Sequence, residues 1–125
     1  MVPRESARIG RPAIRVLVVD DDAKVREVVA AMLASLGHSV MQASDGFAAI
    51  TTLEDKGPVD LVLTDLVMPG LSGWDLVKMV KRRWPLIRVA IVTGNNDSAA
   101  VQAVEFVIRK PFGLDTLQRV FGRAC

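Results

Sequence analysis

Little in the sequence would place this chain outside an ordinary aqueous, reducing compartment. It has one cysteine, Cys125, so no internal disulfide framework is open to it and the cytoplasm is the default expectation. No apolar run approaches the ~18 residues of a membrane span. The opening "MVPRESARIGRPA" carries three arginines and two prolines but no hydrophobic segment of the signal-peptide kind. Charge of one sign is equally scarce. Sixteen Lys and Arg against fourteen Asp and Glu leave +2, a dispersed excess that gives no support to nucleic-acid binding. Apolar content, in contrast, is ample. At 50% of 125 residues it suffices for one domain with a real core, and the chain is too short for two. Residues 1–13 read as a flexible N-terminal tail and residues 14–125 as the domain.

From Ile14 onward strand-like and helix-like segments alternate. "IRVLVV" is a short β-branched run, and Val25, Val28, Val29, Met32, Leu33 and Leu36 after it form the i, i+3, i+4 stripe of an amphipathic helix, which Gly37 stops. "SVMQA" reads as a second strand, "GFAAITTLE" as a helix and "DLVLTD" as a third strand after the Gly57-Pro58 break. A helix from about Ser72 carries Leu76, Val77, Val80 and Trp84 on one face and ends before Pro85. "RVAIVT" is strand four, "SAAVQAV" can make only a short helix, "FVIRK" is strand five, and "LDTLQRVFGR" closes the chain as a helix. Five βα units with nearly continuous apolar strands imply a five-stranded parallel sheet covered on both faces. Right-handed crossovers make this a doubly wound, three-layer α/β/α sandwich, with ligands at the carboxyl ends of the strands.

Polar residues collect at those ends. Asp20 and Asp21 follow strand one, Asp65 follows strand three, Thr93 ends strand four and Lys110 ends strand five. Taken singly, each has a plain structural explanation: a turn acid, a strand-end hydroxyl, a solvated lysine. The third acid of "VVDDD", Asp22, is best explained as a helix N-cap. Together, three acids, a hydroxyl and a lysine at one edge of one sheet are more than coincidence. Close carboxylates repel by about 4 kcal/mol per pair at an effective dielectric of about 20, so the cluster calls for a cation. Mg²⁺, or Mn²⁺ in its place, takes oxygen ligands from one or two carboxylates with phosphate oxygens completing the shell. With the metal reducing the repulsion, Asp65 can attack as a nucleophile and become an acyl phosphate. Thr93 can donate to one phosphoryl oxygen and the Lys110 ammonium can neutralise another.

The stretches "VLVVDDD", "DLVLTDLVMPGLSG", "AIVTG" and "RKPF", in that order across residues 14–123, resemble the receiver domain of two-component response regulators, of the chemotaxis-regulator kind. The resemblance implies the flavodoxin-like strand order 2-1-3-4-5. It makes Asp20 and Asp21 the acid pair, Asp65 the phosphoacceptor, Thr93 the switch hydroxyl and Lys110 the phosphate-contacting lysine. Val67, two residues after the acceptor, would give its backbone carbonyl to the metal, and Lys110-Pro111 would be a cis-proline turn. A sensor histidine kinase or histidine phosphotransfer protein would supply the phosphoryl group, and a downstream protein target would read it. No nucleic acid or membrane is expected to bind this domain directly. Such a protein is a monomer or weak dimer and a signalling switch rather than an enzyme, although it takes part in its own phosphorylation and autodephosphorylation.

Two features depart from the family pattern. Three residues before the lysine, where the family usually has Tyr or Phe, stands Val107, with Phe106 one position earlier. The interval from Thr93 to Lys110 is also short by roughly five residues, more than one helical turn, so the fourth helix is expected to be shortened, lying within residues 98–104. Two other readings compete. An aspartate-nucleophile phosphatase of the haloacid dehalogenase type typically carries a second acid two residues after its nucleophile, and here that position is Val67. A degenerate receiver acting as a phosphorylation-independent interaction module fits the altered fourth helix but not the intact acids and lysine.

Overall fold

The structure, a computed structural model, describes residues 12–94 and 104–124. In chain order these form β1 (Arg15–Val19), α1 (Ala23–Ser35), β2 (Ser39–Ala43), α2 (Gly46–Lys56), β3 (Leu61–Asp65), α3 (Gly73–Arg83), β4 (Arg88–Thr93), β5 (Phe106–Arg109) and α4 (Leu114–Phe121). All four strand pairings are parallel and the order is β2-β1-β3-β4-β5. This is the doubly wound sheet expected from the alternating segments, in the flavodoxin-like order that the resemblance implies. The expected short fourth helix falls almost wholly on residues 95–103, outside the described residues.

The central strands β1, β3 and β4 are mostly apolar because alternate side chains enter different layers. Val16, Val18, Leu61, Leu63, Ala90, Val92 and Ile108 pack with Val29, Leu33, Leu117 and Phe121 of α1 and α4. Leu17, Val19, Val62, Val89 and Ile91 pack with Ile50, Leu53, Leu76 and Val80 of α2 and α3. Truncating a fully buried member such as Leu33 or Leu76 to Ala would cost about 2–5 kcal/mol. The α1 stripe is narrower than the sequence suggests. Val29, Leu33 and Leu36 are buried, but Val28 is 57% exposed, because it lies at the rim of a shallow groove with Lys24, Met32 and Phe112.

The starts of α1, α2 and α3 follow the polar punctuation. Asp22 caps α1, its carboxylate accepting from the N–H groups of Lys24 at 3.0 Å and Val25 at 3.3 Å, so the third acid of the triplet is used by the helix. Asp45 accepts from Ala48 N–H at 2.7 Å, and Ser72 accepts from Asp75 N–H at 3.2 Å. Beyond α1, Gly37 takes a φ of +94°, a conformation that suits a residue without Cβ.

At the amino ends of the strands Glu105 secures the start of β5. Its two carboxylate oxygens accept from Lys81 Nζ at 2.7 and 2.6 Å, and Val89 N–H donates to the first at 2.8 Å. Partial burial alone would raise the Glu105 pKa, but the hydrogen bonds from Lys81 and Val89 outweigh it and hold the carboxyl below its ordinary value. Phe106 then points into the α1/α4 layer, where its ring meets Phe121 edge-on with centroids 5.4 Å apart. Its neighbour Val107 takes the opposite face. Phe106 therefore packs away from the side on which an aromatic at position 107 would lie. Among the described residues, no helix is long and apolar enough to cross a membrane.

Candidate functional site

Strand register assembles the polar cluster. Val19 of β1 pairs with Thr64 of β3, so the next residue of each strand, Asp20 and Asp65, emerges side by side. Asp65 pairs in turn with Val92 of β4, the residue before Thr93. Thr93 pairs with Arg109 of β5, and its carbonyl accepts from the N–H of Lys110 at 2.9 Å. The five residues picked from the sequence thus come from four strand ends to one edge of the sheet.

One carboxylate oxygen from each of Asp20, Asp21 and Asp65 lies within 4.8 Å of the other two. Asp20 is buried, Asp65 half-buried and Asp21 exposed. Burial raises the Asp20 pKa above its ordinary value, the Asp22 N–H donating to its Oδ1 at 2.9 Å lowers it, and the nearby charge of Asp65 raises it further, with an upward net result. The Lys110 ammonium stands 3.5 Å from Asp65 Oδ1, near enough to offset part of the negative charge and too far for a tight hydrogen bond. The Lys110-Pro111 peptide is cis. Thr93 is buried. The Val67 side chain is 72% exposed, so it contributes nothing to the core, and the neighbouring Leu66 and Met68 do that instead.

The loop carrying Asp65 is pinned to α3. Gly73 donates its N–H to the Leu66 carbonyl at 2.9 Å, and a Cβ at this position would fall 2.4 Å from the Asp65 carbonyl oxygen and 2.7 Å from Leu66 Cα. No other residue lets the helix approach that closely. One neighbour of the cluster goes unnoticed in the sequence. Arg26 of α1 donates from Nη1 to the Asp20 carbonyl at 2.7 Å and from Nε to Gln42 Oε1 on β2 at 3.1 Å. It stands one turn after the Asp22 cap, a position that the sequence does not distinguish from any other solvated helix charge.

An all-oxygen donor set from three clustered carboxylates suits a hard divalent cation of the Mg²⁺ type. The raised Asp20 pKa fits as well, since three close acids with one lysine in ion-pair range are better satisfied with added positive charge.

Fold and site together define a doubly wound α/β protein with an acid cluster and a lysine at its strand carboxyl ends, and comparison with known proteins narrows that class. Residues 16–121 match the response regulator receiver domain, and the chain belongs to that family, the signalling switches of two-component systems. Among solved structures, the Vibrio cholerae chemotaxis protein CheY4 is similar with a TM-score of 0.81 at 26% identity, over 90% of this chain and 99% of that one. The receiver domain of NtrX from Brucella abortus is similar with a TM-score of 0.78 at 31% identity, over 84% of this chain and 92% of that one. The DNA-binding transcriptional regulator NtrC of Escherichia coli is 36% identical over 114 residues, which is 87% of this chain and 24% of that protein. The chain spans about a quarter of the length of the curated relatives it matches.

Proposed function

We propose that the chain is a phosphorylatable receiver in which Asp65 accepts a phosphoryl group from a histidine kinase or histidine phosphotransfer protein. The observation that carries this reading is the convergence of Asp20, Asp21, Asp65 and Lys110 at one sheet edge. An Asp65 carboxylate oxygen attacks phosphorus, a P–O bond forms, and the bond from phosphorus to the donor nitrogen breaks with its electron pair leaving on the donor imidazole. Asp20, Asp21 and Asp65, with the backbone carbonyl of Val67, would hold Mg²⁺ or Mn²⁺. The cation, when bound, supplies charge neutralisation for the incoming phosphoryl oxygens. Lys110 neutralises a further phosphoryl oxygen, moving off the 3.5 Å approach to Asp65 that it holds in this structure. The Thr93 hydroxyl, at the end of the neighbouring strand, donates to another and links phosphorylation to the β4 end. The modified surface then signals to a partner protein.

The direct test is incubation with acetyl phosphate and Mg²⁺ followed by intact-protein mass measurement. One phosphoryl group is expected on the unaltered chain and none on Asp65→Asn, because an amide is a poor nucleophile. Undiminished uptake by Asp65→Asn would refute the assignment. No uptake by either protein would favour the phosphorylation-independent module.

A further inference from the structure

We infer that Arg26 is a positioning residue for the cation site: its grip on the Asp20 carbonyl fixes the turn from which Asp20 and Asp21 present their carboxylates. The inference rests on the reading of that cluster as a divalent-cation site. Arg26 is anchored at its own backbone, where its N–H donates to the Asp22 carbonyl at 2.9 Å. From there the planar guanidinium reaches two strand ends at once. Nη1 takes the carbonyl at the β1 exit at 2.7 Å and Nε takes Gln42 on β2 at 3.1 Å, a two-pronged hold that a lysine cannot reproduce.

The remaining groups of Asp20 are held as well. Its N–H donates to the Ala43 carbonyl at 3.2 Å, and its Oδ1 accepts from Asp22 N–H at 2.9 Å. With N–H, carbonyl and one carboxylate oxygen each engaged, the direction of the other oxygen is set. Arg26 acts on the main chain, so it touches neither cation nor phosphoryl group. Its charge works against the site, since a guanidinium beside a cation-binding cluster repels the cation. The two contributions therefore have opposite signs, and removing the side chain separates them.

The experiment is Mg²⁺ titration by calorimetry on the full chain carrying Arg26→Met, Arg26→Lys or Gln42→Leu, with Asp21→Ala as the reference for a lost ligand. Thermal melts without Mg²⁺ identify any variant that fails to fold. Loss of positioning predicts Mg²⁺ binding about tenfold weaker in Arg26→Met, the low end for groups that orient metal ligands. Arg26→Lys should fall between that and the unaltered chain. Gln42→Leu, which changes no charge, should show a smaller loss in the same direction. Binding by a folded Arg26→Met as tight as, or tighter than, that of the unaltered chain would overturn the inference, because charge removal alone gives that result. Should Arg26→Met not fold, unchanged affinity in Gln42→Leu overturns it instead. Absence of saturable Mg²⁺ binding by the unaltered chain overturns the cation-site reading itself, and this inference with it.

Discussion

Two lysine–carboxylate pairs stand at opposite ends of the same sheet. At the amino ends of the strands Lys81 Nζ lies 2.6 Å from Glu105, with Val89 N–H completing the hold on that carboxylate. At the carboxyl ends Lys110 Nζ lies 3.5 Å from Asp65, one of three clustered acids. Glu105 is pushed below its ordinary pKa and Asp20 is pushed above its own. The Lys81–Glu105 pair has its charge settled by folding; the cluster of Asp20, Asp21 and Asp65 has three carboxylates facing one lysine and so carries a surplus of negative charge. One is closed by its own partners; the other, on the function proposed above, is kept for a ligand.

This contrast can be broken by substitution. The largest effect should come from Lys110→Met. Removing an oxyanion-stabilising group is expected to slow phosphoryl uptake about a hundredfold, while the melting temperature barely moves, because the loose pair adds little to stability. A normal uptake rate would place Lys110 with the architectural pair. Asp21→Ala should come next, with Mg²⁺ affinity falling sharply as apo stability holds or rises, since one repelling charge is gone. A stability loss in the apo protein would show the cluster to be a structural network.

Asp22→Ala sharpens the contrast within three residues. It should cost about 1 kcal/mol, as for a lost helix cap, and leave Mg²⁺ affinity nearly unchanged. Equal damage to metal binding from Asp22→Ala and Asp21→Ala would erase that division. The smallest effect belongs to Glu105→Gln. The pair is part-exposed, so the loss near neutral pH should be about 0.5–1 kcal/mol, with phosphoryl uptake unaffected. A carboxyl whose folded pKa is lowered contributes stability above its unfolded pKa and loses it as pH falls through the folded pKa. The unaltered protein and the Glu105→Gln variant should therefore differ in melting temperature near neutral pH and converge below the ordinary glutamate range of about 4.3. A difference that persisted in strong acid, well below that range, would assign the effect to side-chain packing.

The sheet was legible because burial on both faces leaves unbroken apolar runs such as "VLVV" and "VAIV", and the cluster because its acids and lysine sit close after such strands. The cap role of Asp22 was legible from position alone. Arg26 was not. On a helix it reads as one more solvated charge, and only the turn of α1 against the ends of β1 and β2 shows what its guanidinium reaches. Lys81 and Glu105 are hidden for a similar reason: 24 residues separate them in sequence, and nothing local announces a pair. Val28 shows the opposite error. It satisfies the helical stripe, but periodicity marks a face without measuring how wide a strip of it the sheet covers.

Gly73 has a mechanical consequence. With no side chain between them, the α3 terminus and the main chain at Asp65 and Leu66 meet as two hard surfaces, so there is no cushion to absorb a small displacement of β3. An eleven-residue helix spans about 16 Å, and near the far end of this one stands Lys81, gripping Glu105 at the threshold of β5. Helix α3 is in that sense a strut set between the two ends of the sheet. Chemical-shift changes at Lys81 and Glu105 on adding Mg²⁺ would measure how much of a push is carried across, and silence there would mean that the strut is slack. A stiff strut would let the Lys81–Glu105 pair register events at the cluster of Asp20, Asp21 and Asp65.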